Sequence, residues 1–459
     1  MYRVIIPIAL MLIIILVKPI PKIGGSVHIG LLVAGASALL LGGIFSPVAW
    51  LLAWIDGLNR LSWVIWIAII GMIYAETQTS LGTMDTVLNA SRAAFGRSPK
   101  GLYAASMIAM VIFGALLGEG LSVATAVGVL CIAPLADIGL EPEQISASLV
   151  LGALMGSLCP PMSNGIVLAS SLCGADYDTV LKHSFITVPL VCAIVITIYA
   201  FRLVKIKTLP ENLIPKEKAG TILNKGFKTM IPMYLLILIM ILRFGPWASH
   251  GVSLDFVKFI WTPFIKLVTP IKFVNGLANL IVLSLVTCTI VSFFFKPVRE
   301  RGFKDIMKVS WKKFLPCLMV QLCCALMLGG FYASGLIDII KDWATTLNVN
   351  VLKIGGSLAM GLMGMITGSQ STVQNTVLSF FGPALIATGM SANSVALAGA
   401  HIAMGAQAFP PTDLCTIVVA PLVAGVLKKN CDYVKSMMTS LLGFLILYGS
   451  GVLMLFILK

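Results

Sequence analysis

Residues 157–164 read Ser157-Leu158-Cys159-Pro160-Pro161-Met162-Ser163-Asn164, and residues 407–413 read Gln407-Ala408-Phe409-Pro410-Pro411-Thr412-Asp413. Both runs interrupt long apolar stretches. Two successive prolines remove two backbone donors and push the residue before each out of helical geometry, so a helix passing through either run must unwind there. In hydrocarbon a freed N–H or C=O costs several kcal/mol, so irregular backbone survives at membrane depth only where it lines a polar cavity or is buried in protein. Exposed carbonyls beside Ser157, Ser163, Asn164, Gln407, Thr412 and Asp413 therefore mark candidate ligands.

The two breaks belong to a repeat. Sliding the chain by 250 residues aligns Gly114 with Gly364, Gly118 with Gly368, Val123 with Val373, Val127 with Val377, Leu135 with Leu385, Gly139 with Gly389, Ala153 with Ala403, and Pro160-Pro161 with Pro410-Pro411. These nine identities fall in 48 positions without a gap. Self-similarity at one fixed offset is the signature of a duplicated chain. Each Pro-Pro pair follows a glycine-bearing tip by 42 residues. The first tip is Gly118-Glu119-Gly120-Leu121-Ser122, where the glycines permit a reversal and Ser122 can cap the following helix. The second is Thr367-Gly368-Ser369-Gln370-Ser371-Thr372, followed by Gln374 and Asn375. Hydroxyl, amide and bare carbonyl oxygens suit Na⁺. The N-terminus of each return arm offers N–H groups to an anion. Glycine-rich helix contacts are the ordinary alternative, and repeat-related placement argues against it.

The rest of the chain says where these features sit. Of 459 residues, 58% are hydrophobic and only 11% charged, with a mean hydropathy of +1.00. A soluble surface needs roughly 25% charged residues, so the fold class is an all-α polytopic membrane protein. Its partner is the lipid bilayer. Full spans are expected at 2–17, 24–46, 62–80, 184–203, 231–243, 273–295, 314–332 and 436–458. Hairpins are expected at 101–136 and 351–388, and broken helices at 145–172 and 394–427. The run Ile5 to Val17 lacks a small-residue cleavage site and is kept as the first crossing. The organisation is then a first repeat, 1–203, a basic linker, 204–230, and a second repeat, 231–459. Each half makes five crossings plus a re-entrant hairpin, and an odd count inserts the second half upside down.

Net charge is +14. In a membrane protein the surplus marks cytoplasmic loops rather than a nucleic-acid partner. With both termini outside and 204–230 cytoplasmic, 22 of the 32 Lys and Arg residues fall inside, among them Lys18, Lys22, Arg92, Arg97, Lys100, the linker lysines, the cluster Lys296 to Lys313, and Lys428, Lys429 and Lys435. The opposite orientation inverts the ratio. The expected location is the cytoplasmic membrane.

The remaining polar residues divide by environment. Glu119 at a tip and Asp413 at a break are candidate cation ligands or proton carriers, because an unpaired intramembrane charge is expensive. His401 is either a proton site or a hydrogen-bonded structural histidine. Glu76, near the inner end of its span, reads as a snorkelling interfacial carboxylate. The amphipathic stretches 47–61 and 83–99 read as arms in the interface. The ten cysteines show no CxxC or Cys/His spacing and read as core residues. There is no HExxH pair, no serine-histidine-acid set and only four histidines, so an enzyme is not expected.

The run from Gly82 through Ala93-Ala94-Phe95-Gly96, Gly101-Leu102, Phe113-Gly114-Ala115, Ser122-Val123-Ala124-Thr125-Ala126-Val127-Gly128 and Pro134 to Pro160-Pro161 resembles the large membrane subunit of tripartite ATP-independent periplasmic (TRAP) transporters. More broadly the chain resembles the ion transporter superfamily. The resemblance implies an elevator mechanism, with hairpins and broken helices moving against a scaffold. It also implies Na⁺ on tip and break carbonyls, a small carboxylate between the tips, and two further partners, a small membrane subunit and an extracytoplasmic binding protein. Glu119 and the second tip depart from the pattern expected of that subunit.

The residues and the resemblance together give a secondary transporter of a small organic anion, mono- or dicarboxylate, driven by Na⁺ or H⁺, with no organic cofactor. Substrate ligands are expected among Gly120, Ser122, Ser163, Asn164, Ser371, Thr372 and Thr412. Cation coupling is expected at Gly118, Glu119, Ser157, Pro160, Gly368, Ser369, Asn375, Gln407, Pro410 and Asp413. The competing expectation is a Na⁺/H⁺ antiporter in which Glu119, Asp413 and His401 exchange the ions.

Overall fold

Both tips reverse on a glycine in the left-handed region. Gly118 (φ 65°) ends helix Pro99–Leu117 and donates to the Gly114 carbonyl at 2.8 Å; Gly368 (φ 58°) ends helix Val349–Thr367 and donates to the Gly364 carbonyl at 2.9 Å. A side chain is disfavoured at such a C-cap, so the repeat keeps glycine there. The return arm of the first hairpin is Gly120–Ala126 followed by Gly128–Asp137, bent by 55° between them. That of the second is Gln370–Val373, a π-helical turn Gln374–Leu378, and Ser379–Ala387. The structure, a computed structural model, describes residues 2–16, 26–118, 120–244 and 255–458, and all regular structure in them is helical.

The broken helices follow the hairpins. The first is Pro142–Leu158 with Asn164–Cys173, and the second Ala392–Ala406 with Leu414–Leu427. Pro142 occupies the first turn, behind a capping box in which Glu141 and Gln144 satisfy each other's backbone donors. Both Pro-Pro bonds are cis. The first arm of each broken helix packs against the second arm of the other, so the two run antiparallel. The last helices of the two halves, Tyr177–Leu203 and Tyr433–Ile457, flank this pair.

Beside it lies a group built around Pro47–Ser80 and Phe303–Ala333, which pack along their lengths. Small residues bring their backbones together: a Cβ on Gly57 would lie 1.8 Å from the Ala325 carbonyl oxygen, and one on Gly329 equally close to that of Ala53. Among the described residues six helices are individually long and apolar enough to cross a bilayer: these are Pro47–Ser80, Tyr177–Leu203, Phe227–Phe244, Tyr433–Ile457 and the first arms of both hairpins. The protein is a multi-pass helical membrane protein.

Three expectations change. Residues 47–61 are not a separate interfacial arm but the first turns of the 34-residue helix Pro47–Ser80, because no breaker separates them and Ala53 and Gly57 face Phe303–Ala333. The span expected at 273–295 divides into a 3₁₀ turn, Val274–Ala278, and helix Leu280–Ser292, whose cap Asn279 accepts from the Ile281 N–H at 2.9 Å. A helix at Phe256–Val268, capped by Asp255, was not anticipated; two lysines and a proline obscure its pattern. The stretch 83–99 does form a separate helix, Thr83–Phe95, against which the linker helix Ala219–Lys225 packs.

Candidate substrate and ion site

Each tip is docked on the break of its own half by the same contacts. The Met162 N–H donates to the Ala115 carbonyl at 3.1 Å, and the Thr412 hydroxyl donates to the Met365 carbonyl at 2.6 Å. These four residues are related in pairs by the 250-residue shift. A Cβ on Gly118 would lie 2.4 Å from the Met162 carbonyl oxygen, and one on Gly368 only 1.8 Å from that of Thr412. Below the tips, Gly114 leaves room for the backbone of Gly156, and Gly364 for that of Ala406. Side chains complete the joints: the Asn164 amide donates to the Gly118 carbonyl at 3.1 Å, and the Gln407 side-chain oxygen accepts from the Gln370 N–H at 2.9 Å.

The helix after each break starts with a polar cap at equivalent positions. Ser163 accepts from the Ile166 N–H at 3.2 Å, and Asp413 from the Cys415 N–H at 3.0 Å and from the Thr416 hydroxyl. Asp413 is 1% exposed and has no basic partner among the described residues.

Two cavities separate the tips from Pro47–Ser80 and Phe303–Ala333. The first, of about 160 Å³, is lined by Leu117 and Ser122 of the first hairpin and by Glu76 and Lys313. Glu76 is 3% exposed and forms ion pairs with Arg301 (2.6 Å) and Lys313 (2.5 Å). It is therefore not a snorkelling carboxylate: residues distant in sequence enclose and neutralise it. The second cavity, of about 50 Å³, lies where the second tip meets the helix after the first break. Gly165 allows this approach, since a Cβ there would lie 1.8 Å from the Gln370 amide nitrogen; Gln374 donates to the Gly165 carbonyl at 2.9 Å. Around this cavity Gln321 Oε1, Gln370 Nε2 and Gln374 Oε1 are buried without a partner. The neighbouring Asn375, fully buried on the π-helical turn, has neither side-chain atom partnered. Buried polar atoms are normally satisfied, and π-helical turns cluster at functional sites, so these groups are candidate ligands.

Residues 13–348 match the family described as tripartite ATP-independent periplasmic transporter, DctM component. The chain belongs to this family. A DctM component is one part of a tripartite transporter that does not use ATP. The matched stretch contains the first tip, the first break and the helices Pro47–Ser80 and Phe303–Ala333; the second tip and break follow it and are tied to the first by the internal repeat. No curated protein matches the sequence. Among solved structures, the YdaH transporter of Alcanivorax borkumensis, described as having an unusual topology, shares the fold with a TM-score of 0.60. Sequence identity is 14%, over 88% of this chain and 86% of that one.

Against this DctM frame, the residues singled out from sequence sort by position. Gly118, Asn164, Gly368, Gln407 and Thr412 hold tips to breaks, while Pro160 and Pro410 form the breaks. Ser122 lines the first cavity and Ser371 the second. Ser369 caps the second return arm, accepting from the Thr372 N–H at 3.4 Å and the Thr372 hydroxyl at 3.1 Å. Ser157 turns its hydroxyl to the Leu154 carbonyl of its own helix, and Gly120 gives room to Leu154. His401 is buried between the last helices, with its ring nitrogens on Thr187 (3.2 Å) and Ser450 (2.9 Å). Glu119 lies outside the described residues; the shift pairs it with the cap Ser369. Sequence reasoning named Gln370 and Gln374 only as part of the second tip and missed Lys313 and Gln321 as site residues. Gln321 carried a signal, being an amide inside an otherwise apolar span.

Proposed function

We propose that the chain is the transporting subunit of a secondary carrier for a small organic carboxylate, coupled to Na⁺. The observation that carries this reading is the pair of repeat-related tips, each docked on a Pro-Pro break, the first facing a cavity lined by the Glu76–Lys313 ion pair and the second a cavity with buried amide atoms that have no partner among the described residues. The larger cavity, with Ser122, the return-arm N-terminus and the Lys313 ammonium at its wall, suits a carboxylate. An anion there competes with Glu76 for Lys313, so its binding can loosen the contact between tip and scaffold. The smaller cavity, of about 50 Å³, suits one desolvated cation among amide oxygens. Asp413 is the buried acid without a cationic partner, and a coupling ion at the second break supplies its countercharge.

In this reading the hairpins and broken helices move as one body against Pro47–Ser80 and Phe303–Ala333. The domain limits 1–203, 204–230 and 231–459, the cytoplasmic linker and the external termini belong to the same proposal, as do the cytoplasmic membrane and the two further subunits, a small membrane protein and an extracytoplasmic binding protein. The antiporter alternative draws less support, since His401 is committed to two hydroxyl partners.

The test is reconstitution of the full chain with both partner subunits in proteoliposomes. Uptake of a mono- or dicarboxylate is expected to need an inward Na⁺ gradient and the binding protein. Collapse of an imposed pH gradient on adding Na⁺ alone, with no carboxylate uptake, would overturn the reading.

A further inference from the structure

A third cavity, of about 640 Å³, lies away from the tips; in the proposed orientation it is external, since its wall residues Asn59 and Arg60 precede the span that leads to the cytoplasmic Arg92. Asn59 and Arg60 of Pro47–Ser80 line one wall, Asn275 and Asn279 a second, and Ser170 and Tyr177 the third. Its asparagine acceptors are already used. Asn59 Oδ1 accepts from the Asn275 amide at 3.0 Å and the Phe273 N–H at 3.1 Å; Asn275 Oδ1 accepts from Ser62 at 3.0 Å; Asn279 Oδ1 accepts from the Ile281 N–H at 2.9 Å. The acid at its rim, Asp176, caps Tyr177–Leu203, taking the N–H and hydroxyl of Thr179.

What remains are donors. The Ser170 and Tyr177 hydroxyls are buried without a partner, and the residues are 0% and 7% exposed. Arg60 gives its Nε to Asp56 at 2.9 Å and lies 3.8 Å over the Tyr332 ring, so its terminal nitrogens stay available. Two hydroxyls without a partner among the described residues, side-chain amide nitrogens and a guanidinium, with the asparagine oxygens consumed and Asp176 held at the rim by Thr179, can donate to an oxyanion.

We infer that this vestibule is a loading site for the carboxylate of the transported anion, held by Ser170, Tyr177, Asn59 and Arg60 before it reaches the tips. The inference rests on the proposed transport of a carboxylate and on the charge-derived orientation. Ser170 lies on Asn164–Cys173, about 10 Å along the helix from the Ser163 cap at the break, so a bound anion bears directly on the helix that holds the first tip. Arg60, on Pro47–Ser80, draws the same anion towards the scaffold.

The experiment uses the full chain carrying Ser171→Cys, a residue that lines the vestibule, reconstituted in proteoliposomes with both partner subunits and an inward Na⁺ gradient. The described native cysteines other than Cys431 are buried, and the wild-type chain supplies the background. A membrane-impermeant maleimide is applied from the side opposite the basic loops, with lactate, succinate or neutral succinamide present, and carboxylate uptake is measured on the same vesicles. A transported carboxylate is expected to slow labelling by about threefold or more at saturation, and succinamide not at all. Ser170→Ala and Tyr177→Phe are each expected to weaken that protection without changing the unprotected labelling rate or the thermal unfolding midpoint. Uptake without protection would overturn the vestibule and leave the transport reading standing. Absence of uptake together with absence of protection would overturn both. Protection that survives both substitutions and Arg60→Gln would overturn the residue assignment, as would a Ser171→Cys chain that does not label from that face.

Discussion

The two tip-and-break units share a backbone and differ in chemistry. Both use a left-handed glycine, a neighbouring carbonyl and a polar helix cap at positions 250 apart. Yet the first faces an ion-pair cluster, Glu76 with Arg301 and Lys313, and the second faces amides that each keep an atom without a partner among the described residues. The duplication thus preserved the geometry that exposes a tip, while the side chains around it diverged. Steric rules constrain the first tightly; many polar sets can fill the second.

That comparison breaks most visibly at the tip glycines. Gly368→Ala places a Cβ in the left-handed region and 1.8 Å from the Thr412 oxygen, so the variant is expected to lose more than about 1 kcal/mol of stability and nearly all uptake. Gly118→Ala, with 2.4 Å available, is expected to lose less; equal losses would show that the two joints are not graded by fit. Thermal unfolding in detergent and proteoliposome uptake read both.

Next in size is Glu76→Gln, which leaves Arg301 and Lys313 without their counter-ion. Because the Lys313 side chain is 44% exposed, solvent screening reduces the loss from the buried-pair range to about 2 kcal/mol. A double-mutant cycle with Lys313→Gln should show positive coupling, and additivity would mean the pair does not act as a unit.

At the second tip the expected sign reverses. Asn375→Leu removes two unsatisfied buried atoms, so stability should rise by about 1 kcal/mol while Na⁺-dependent uptake falls. A drop in both would mark Asn375 as a packing residue. Asp413→Asn keeps a cap of equal quality and removes the charge, so the unfolding midpoint should hold within about 0.5 kcal/mol while the Na⁺ needed for half-maximal uptake increases. An unchanged Na⁺ requirement would remove Asp413 from the cation site. Smallest is Ser157→Ala, whose hydroxyl serves only its own helix: a change beyond about 0.5 kcal/mol, or any change in Na⁺ dependence, would show a contact beyond Leu154.

Much of this was legible in advance because proline and glycine act locally. A Pro-Pro pair unwinds a helix whatever surrounds it, and hairpins expected at 101–136 and 351–388 end within two residues of Pro99–Leu117 with Gly128–Asp137 and of Val349–Thr367 with Ser379–Ala387. Glu76 was misread because its position near a span end suggested water, whereas Arg301 and Lys313 arrive from more than 200 residues away. Gln374 was read only as a member of the second tip, because its contact is with Gly165, 209 residues distant.

The amino-acid sequence by itself therefore determined the membrane setting, the duplication, and where each half reverses and breaks. These follow from hydrophobic transfer and from the missing N–H of proline and the missing Cβ of glycine, which are properties of single residues. Only the tertiary structure decided which buried polar groups are satisfied and which are left to hold a ligand. Satisfaction is a matter of a few tenths of an ångström between distant segments, set by how antiparallel helices pack.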